Sequence, residues 1–174
     1  MSPTEPRPSR VPKPQPPRDQ VGDPCPYRPR LTRSAKIQAQ HLERLAVVYV
    51  RQSNPSQVLR HPESTALQYA LGRYAVELGW PEDRVWIVDD DQGTTARTAV
   101  HRSGFHEILI EVDLDHVGIV IGIELSRLAR SCRDWYHLME KCALFDTLLA
   151  DLDGIYDPSD YNDRLLLGLK CHIS

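Results

Sequence analysis

No stretch of this sequence comes near the roughly 18 consecutive apolar residues of a membrane-spanning helix. The first residues lack the hydrophobic core of a secretion signal, so neither a membrane partner nor export is expected. Cysteine is sparse. Cys25, Cys132, Cys142 and Cys171 include no CxxC pair, and the seven histidines show no HExxH or comparable ligand spacing. A metal site is therefore not expected. In a cytoplasmic setting the cysteines read as reduced thiols, with Cys132 and Cys142 as small residues within a helical stretch.

What is present is unevenly spread. Hydrophobic residues make up 41% and charged residues 26%, which suits one packed core. Ten of the fourteen prolines lie between Pro3 and Pro29. The first 36 residues carry eight Lys/Arg against three carboxylates, so this stretch is +5 and the rest is −8, for a net −3. Composition thus predicts a disordered basic, Pro-rich arm over residues 1–35, followed by an acidic globular domain over 36–170. Two readings of the arm stand side by side. It is either a non-specific hold on phosphates through counterion release or a solvated leader.

Beyond the arm, hydrophobic periods alternate. A short helix is expected over Ala35–Leu45, then a buried strand over Ala46–Arg51. Helical spacing of Leu67, Leu71, Tyr74 and Leu78 predicts a helix over Ser64–Leu78, with Gly79 as its stop. A second strand, Arg84–Val88, precedes Asp89-Asp90-Asp91, and a helix follows over Ser103–Val112. Val117–Ile123 is the strongest strand signal. It is followed by a helix over Asp134–Phe145, a strand over Thr147–Asp151 and a helix from Asn162 to Lys170. This order predicts a three-layer α/β/α domain around a mainly parallel sheet. Ligands of such sheets collect at the carboxyl ends of the strands, here just past Val50, Val88, Ile123 and Asp151.

Two of those strand exits carry chemistry. In Tyr49-Val50-Arg51-Gln52-Ser53, a period of two puts Tyr49, Arg51 and Ser53 on one side. A serine beside a guanidinium can attack an anionic centre, although Ser53 also fits a turn before Asn54-Pro55. In Glu124–Ser131, helical spacing would put Arg127 and Arg130 on one face above Leu125 and Leu128. Arginines that open a helix run against its macrodipole and suit phosphate oxygens, although a solvated face has the same pattern. Arg102 is a third arginine at a helix start. Asp89–Asp91 could orient an arginine or form a receiver-type acidic pocket.

Together these segments resemble the catalytic domain of the serine recombinases (resolvase/invertase family), especially the large transposon- and phage-type members. The likeness is carried, in order, by four segments: YVRQS at Tyr49–Ser53, Arg-x-Gly-Phe at Arg102–Phe105, ELSRLARS at Glu124–Ser131, and DGIYDPSDYNDRLLLGLK at Asp153–Lys170. The resemblance implies site-specific DNA recombination, with Ser53 as the nucleophile that forms a 5′-phosphoserine link. It implies Arg51, Arg102, Arg127 and Arg130 around the scissile phosphate, and Tyr49, Gln68, Asp89 and Ser126 as DNA-binding or active-site support. No cofactor is implied. The implied partners are DNA and other subunits, as homodimer, tetramer or hetero-assembly with full-length recombinases, in a bacterial cytoplasm at the nucleoid. Two departures stand out. After Gly93 the chain has Thr94-Thr95-Ala96 where the family has Arg-Ser-Gly, and residues 171–174 leave the family pattern. The second departure raises an alternative, a truncated, non-catalytic remnant or regulatory partner of full-length recombinases.

Overall fold

The computed structural model describes residues 34–52, 62–91, 104–125, 128–129 and 131–173, with backbone alone at 51–52, 62–69, 89–91 and 173. A basic arm expected over residues 1–35 lies almost wholly outside the described residues. The elements run α1 (Ala39–Leu42), β1 (Leu45–Gln52), α2 (Pro62–Leu78), a 3-10 turn (Glu82–Arg84), β2 (Val85–Asp91), α3 (Gly104–Asp113), β3 (Val117–Ile121), α4 (Cys132–Leu144), β4 (Leu148–Ala150), β5 (Ile155–Tyr156) and α5 (Tyr161–Ile173). The sheet order is β2-β1-β3-β4-β5, parallel except where β5 pairs antiparallel with β4.

The sheet is central because its strands are apolar on both faces. Val47, Tyr49, Val88, Val120 and Leu149 pack with Ile108 and Val112 of α3, Trp135, Leu138 and Met139 of α4, and Leu167 of α5. Ala46, Val48, Val50, Ile119, Ile121, Leu148 and Ala150 pack on the other face with Leu71, Tyr74, Ala75 and Leu78 of α2. Each Val, Leu or Ile among them contributes about 1.5–3 kcal/mol when fully buried. This is the expected three-layer α/β/α arrangement.

The boundaries differ from the sequence reading in instructive ways. Only Ala39–Leu42 of the first helix forms, because the Leu45 N–H is taken by the His116 carbonyl at 2.8 Å and the chain enters the sheet there. β2 continues through Asp89–Asp91, which lie in register with Val50, Arg51 and Gln52. Asp89 therefore sits within the second strand rather than after it, since parallel pairing outweighs the low strand preference of aspartate. β3 stops at Ile121 and β4 spans Leu148–Ala150. The two-residue β5 carries no periodic signal of its own.

Other features follow the sequence closely. Gly79 ends α2 with φ 119°, and the Trp80 N–H reaches back to the Ala75 carbonyl at 3.2 Å. Gly118 is required by crowding, because a Cβ there would lie 2.1 Å from the His41 carbonyl oxygen. At the amino edge of the sheet, Arg44 donates to the Phe145 and Asp146 carbonyls at 2.8 and 2.6 Å and pairs with Asp115 at 3.0 Å. It thereby ties the ends of α3 and α4 to the start of β1.

The cysteines need a correction. Cys132 and Cys171 form a disulfide, with Cα atoms 5.8 Å apart and 39 residues apart in sequence, so they are not two separate thiols. Sequence spacing could not reveal this, because α4 and α5 are brought side by side only by the tertiary fold. Cys142 is the buried free thiol among the described residues, and burial pushes its pKa far up.

Candidate functional site at the carboxyl edge of the sheet

Every parallel strand here delivers its carboxyl end to one edge, and each crossover helix must then run back toward the other. The starts of α2, α3 and α4 therefore share that edge with the ends of β1, β2 and β3, and their N-terminal dipoles favour an anion there.

β1 extends beyond its neighbour. Its last pair with β3 is Val48–Ile121, whereas its pairing with β2 continues to Gln52–Asp91. The stretch Tyr49–Gln52 thus stands past the end of β3 and leaves a notch on that side. Tyr49 is buried on the face covered by α3 and α4, and Val50 is buried on the opposite face. The backbone of Arg51 lies two residues beyond Tyr49, in register with Asp90.

After β3 the chain first stays beside β4 and then packs onto the face that holds Tyr49. The Gly122 N–H donates to the Ala150 carbonyl at 3.0 Å, and the Leu128 N–H closes a turn onto the Leu125 carbonyl at 3.1 Å. Leu125, Leu128 and Ala129 are buried in the same cluster as Tyr49 and Val88. Leu128 packs over Gly122, where an added Cβ would touch its side chain at 3.7 Å. α4 then starts at Cys132, with Ser131 as N-cap, its Oγ accepting the Asp134 N–H at 3.2 Å. The expected burial of Leu125 and Leu128 is present, but the arginine segment precedes the helix rather than opening it.

Among the candidate residues, Tyr49 is fully described, and Arg51, Gln68 and Asp89 are described in backbone only. Gln68 lies in α2, between the start at this edge and Leu71 in the core. Ser53, Arg102, Ser126, Arg127 and Arg130 lie outside the described residues. Their described neighbours are nevertheless at this edge: Gln52 precedes Ser53, Gly104 begins α3 two residues after Arg102, and Leu125, Leu128, Ala129 and Ser131 bracket the other three.

A charged cluster nearby went unnoticed in the sequence. Asp151 follows β4 and is buried, its Oδ1 accepting the Asp153 and Gly154 N–H groups at 2.9 and 3.2 Å. Its Oδ2 meets Lys170 of α5 at 2.8 Å, and Lys170 also pairs with Asp153 at 3.3 Å and sits over the Tyr156 ring. Burial alone would lower the Lys170 pKa, but the hydrogen bond to Asp151 and its charge prevail and raise it. The Asp151-Leu152-Asp153-Gly154 turn was the available signal, since such a sequence often uses its first carboxylate to hold following amides. Among the described residues no group of three or more His, Cys, Asp or Glu could hold a metal ion, and no helix is long and apolar enough to cross a membrane.

Comparison with known proteins places this domain. It is 51% identical over 135 residues to the uncharacterized protein y4bA/y4pH of Sinorhizobium fredii, a match covering 78% of this chain and 20% of the relative. The chain thus spans about a fifth of that relative's length. The crystal structure of the N-terminal catalytic domain of TP901-1 integrase is 20% identical, with a TM-score of 0.47, covering 75% of this chain and 93% of that one. That of a resolvase family site-specific recombinase from Streptococcus pneumoniae is 19% identical, with a TM-score of 0.49, covering 75% and 87%. The family model described as the resolvase N-terminal domain matches residues 46–174, from the second residue of β1 to the last residue of the chain, and the chain belongs to the resolvase family.

Proposed function

We propose that this domain cuts and rejoins DNA as the catalytic part of a site-specific serine recombinase. The observation that carries this reading is the convergence of the β1 end with Leu125, Leu128 and Ala129. Buried Tyr49 joins them in a single cluster. That supports a site in which Ser53, Arg51, Arg127 and Arg130 act together, with Arg102 supplied from just before α3.

In this reading the Ser53 Oγ attacks a DNA phosphorus. The P–O bond to the 3′ oxygen breaks, the 3′ hydroxyl leaves, and a 5′-phosphoserine link remains. Attack of a 3′ hydroxyl on that link reverses the step and frees Ser53, so rejoining needs no external energy source. The guanidiniums neutralise the phosphate and hold it in line for attack, which is how phosphoryl transfer is accelerated without a cofactor. Tyr49, Gln68, Asp89 and Ser126 support this arrangement. Strand exchange requires cuts on both duplexes, so the working unit is a dimer or tetramer, or a hetero-assembly with full-length recombinase subunits. A DNA substrate of this kind puts the protein in a bacterial cytoplasm, at the nucleoid.

The test is covalent capture. The chain is incubated with a full-length family member on that member's cognate DNA, and adducts are read by denaturing gel and mass spectrometry. A Ser53-linked adduct is expected, and Ser53→Ala should abolish it. Arg51→Ala or Arg127→Ala should slow its formation by several orders of magnitude, since each such group is worth about 3–4 kcal/mol in the transition state. Arg→Lys should fail in large part, because an ammonium cannot fork across two phosphate oxygens. Persistence of the adduct in Ser53→Ala would move the nucleophile elsewhere. No adduct from the unaltered chain would favour a non-catalytic partner.

A further inference from the structure

The last helix is held to the domain along a narrow line. Of its side chains, Asp163 and Leu167 are buried, while Tyr161, Leu165, Leu166 and Leu169 are exposed at 76, 51, 49 and 54%. Asp163 is held by Lys36 at 2.6 Å, the Leu167 carbonyl accepts the Trp135 indole N–H at 2.9 Å, and Lys170 reaches Asp151. One turn of helix separates each of these attachments from the next. The covalent bond from Cys171 to Cys132 completes the line. Its other end is the first residue of α4, directly after the Ser131 cap and two residues after Arg130.

We infer that the Cys132–Cys171 pair is a reversible thiol–disulfide clamp that fixes α5 to the start of α4 when oxidised and releases it when reduced. Cys132 is exposed and Cys171 partly so, which gives small thiol reagents access, whereas Cys142 is sealed in the core. The oxidant is a low-molecular-weight disulfide such as oxidised glutathione. The Cys132 thiolate attacks one of its sulfurs and expels a thiolate. The Cys171 thiolate then attacks Cys132 Sγ in the mixed disulfide and expels the second. Two protein thiols lose two electrons and two protons, and one small disulfide becomes two thiols. Reduction by dithiothreitol runs the same exchange backwards. The clamp rests on the recombinase reading only for what it would regulate.

The experiment compares the full chain after oxidised glutathione and after dithiothreitol, using amide exchange and peptide mapping. Oxidation should yield a linked peptide pair containing Cys132 and Cys171, with Cys142 labelled only after denaturation. Reduction should speed exchange across residues 161–173 roughly tenfold or more, while β1 and β3 keep their rates. Cys132→Ser and Cys171→Ser should each show the fast α5 rates in both buffers. Equal α5 rates in oxidised and reduced wild type, or no linked peptide after oxidation, would overturn the clamp. Ser53 adducts are not part of this readout, so the clamp and the recombinase reading fail separately.

Discussion

Tyr74 carries a cost that the fold tolerates. Its phenol is buried, and the hydroxyl finds no hydrogen-bond partner among the described residues. Burial first, then the charges of Asp151 and Glu77, push its pKa well above the ordinary tyrosine value. Tyr74→Phe should therefore leave stability unchanged or raise it by about 1 kcal/mol at neutral pH, measured by urea unfolding. A folded-state pKa above the unfolded one gives stability that holds below the unfolded value and is lost as pH rises past it. The Phe variant should consequently lose less stability than wild type above about pH 10. Spacing from Leu71 and Leu78 marks Tyr74 as a core residue in the sequence. It could not announce the missing partner, which depends on what α2 faces across the sheet. The same divide runs through the candidate site. Leu125 and Leu128 were legible as the buried floor of the arginine segment, whereas Gly122 matters because Leu128 folds back on it.

α5 illustrates how an amphipathic pattern can misdirect. Its leucines suggest an inward apolar face, yet Leu165, Leu166 and Leu169 point outward, and the inward line uses Asp163, Leu167 and Lys170. Polar fastening of this sort leaves little trace in hydrophobic periodicity, because each charge is decided by a partner far along the chain. Lys170→Met should destabilise the domain by about 1.5–3 kcal/mol at pH 7–9, since it strips the buried Asp151 of its cation while two backbone amides remain. The raised Lys170 pKa makes that contribution constant up to about pH 10.5, and it fades as pH climbs through the folded-state value. Thermal melts of both proteins should keep a constant gap from pH 7 to about pH 10.5, and the gap should begin to narrow only above that. Strands were more legible than this helix, since four of the five follow apolar runs. β5 was not, because two residues paired to β4 need a neighbour rather than a pattern.

The charge of the chain is divided between its two parts. Seven Lys/Arg fall within residues 1–33, and the remainder is strongly acidic. If the leading stretch is what holds DNA without sequence preference, replacing those seven residues by Gln in the full chain should weaken non-specific binding. The slope of log affinity against log salt should fall by about 6 at most. Fluorescence anisotropy on a random duplex at several salt concentrations would read this, and an unchanged slope would assign the arm no electrostatic role. The strand order has a further consequence, which concerns the order of synthesis. β1 leaves the ribosome first, yet it lies between β2 and β3, and Leu45 finds its β3 partner only at Val117. Any nascent or broken chain that ends before Val117 therefore holds the strand carrying Arg51 with one long apolar edge unpaired. Such a fragment is a template for strand addition rather than a folded domain. Assembly of the carboxyl edge of the sheet is thereby withheld until the chain has been made past β3.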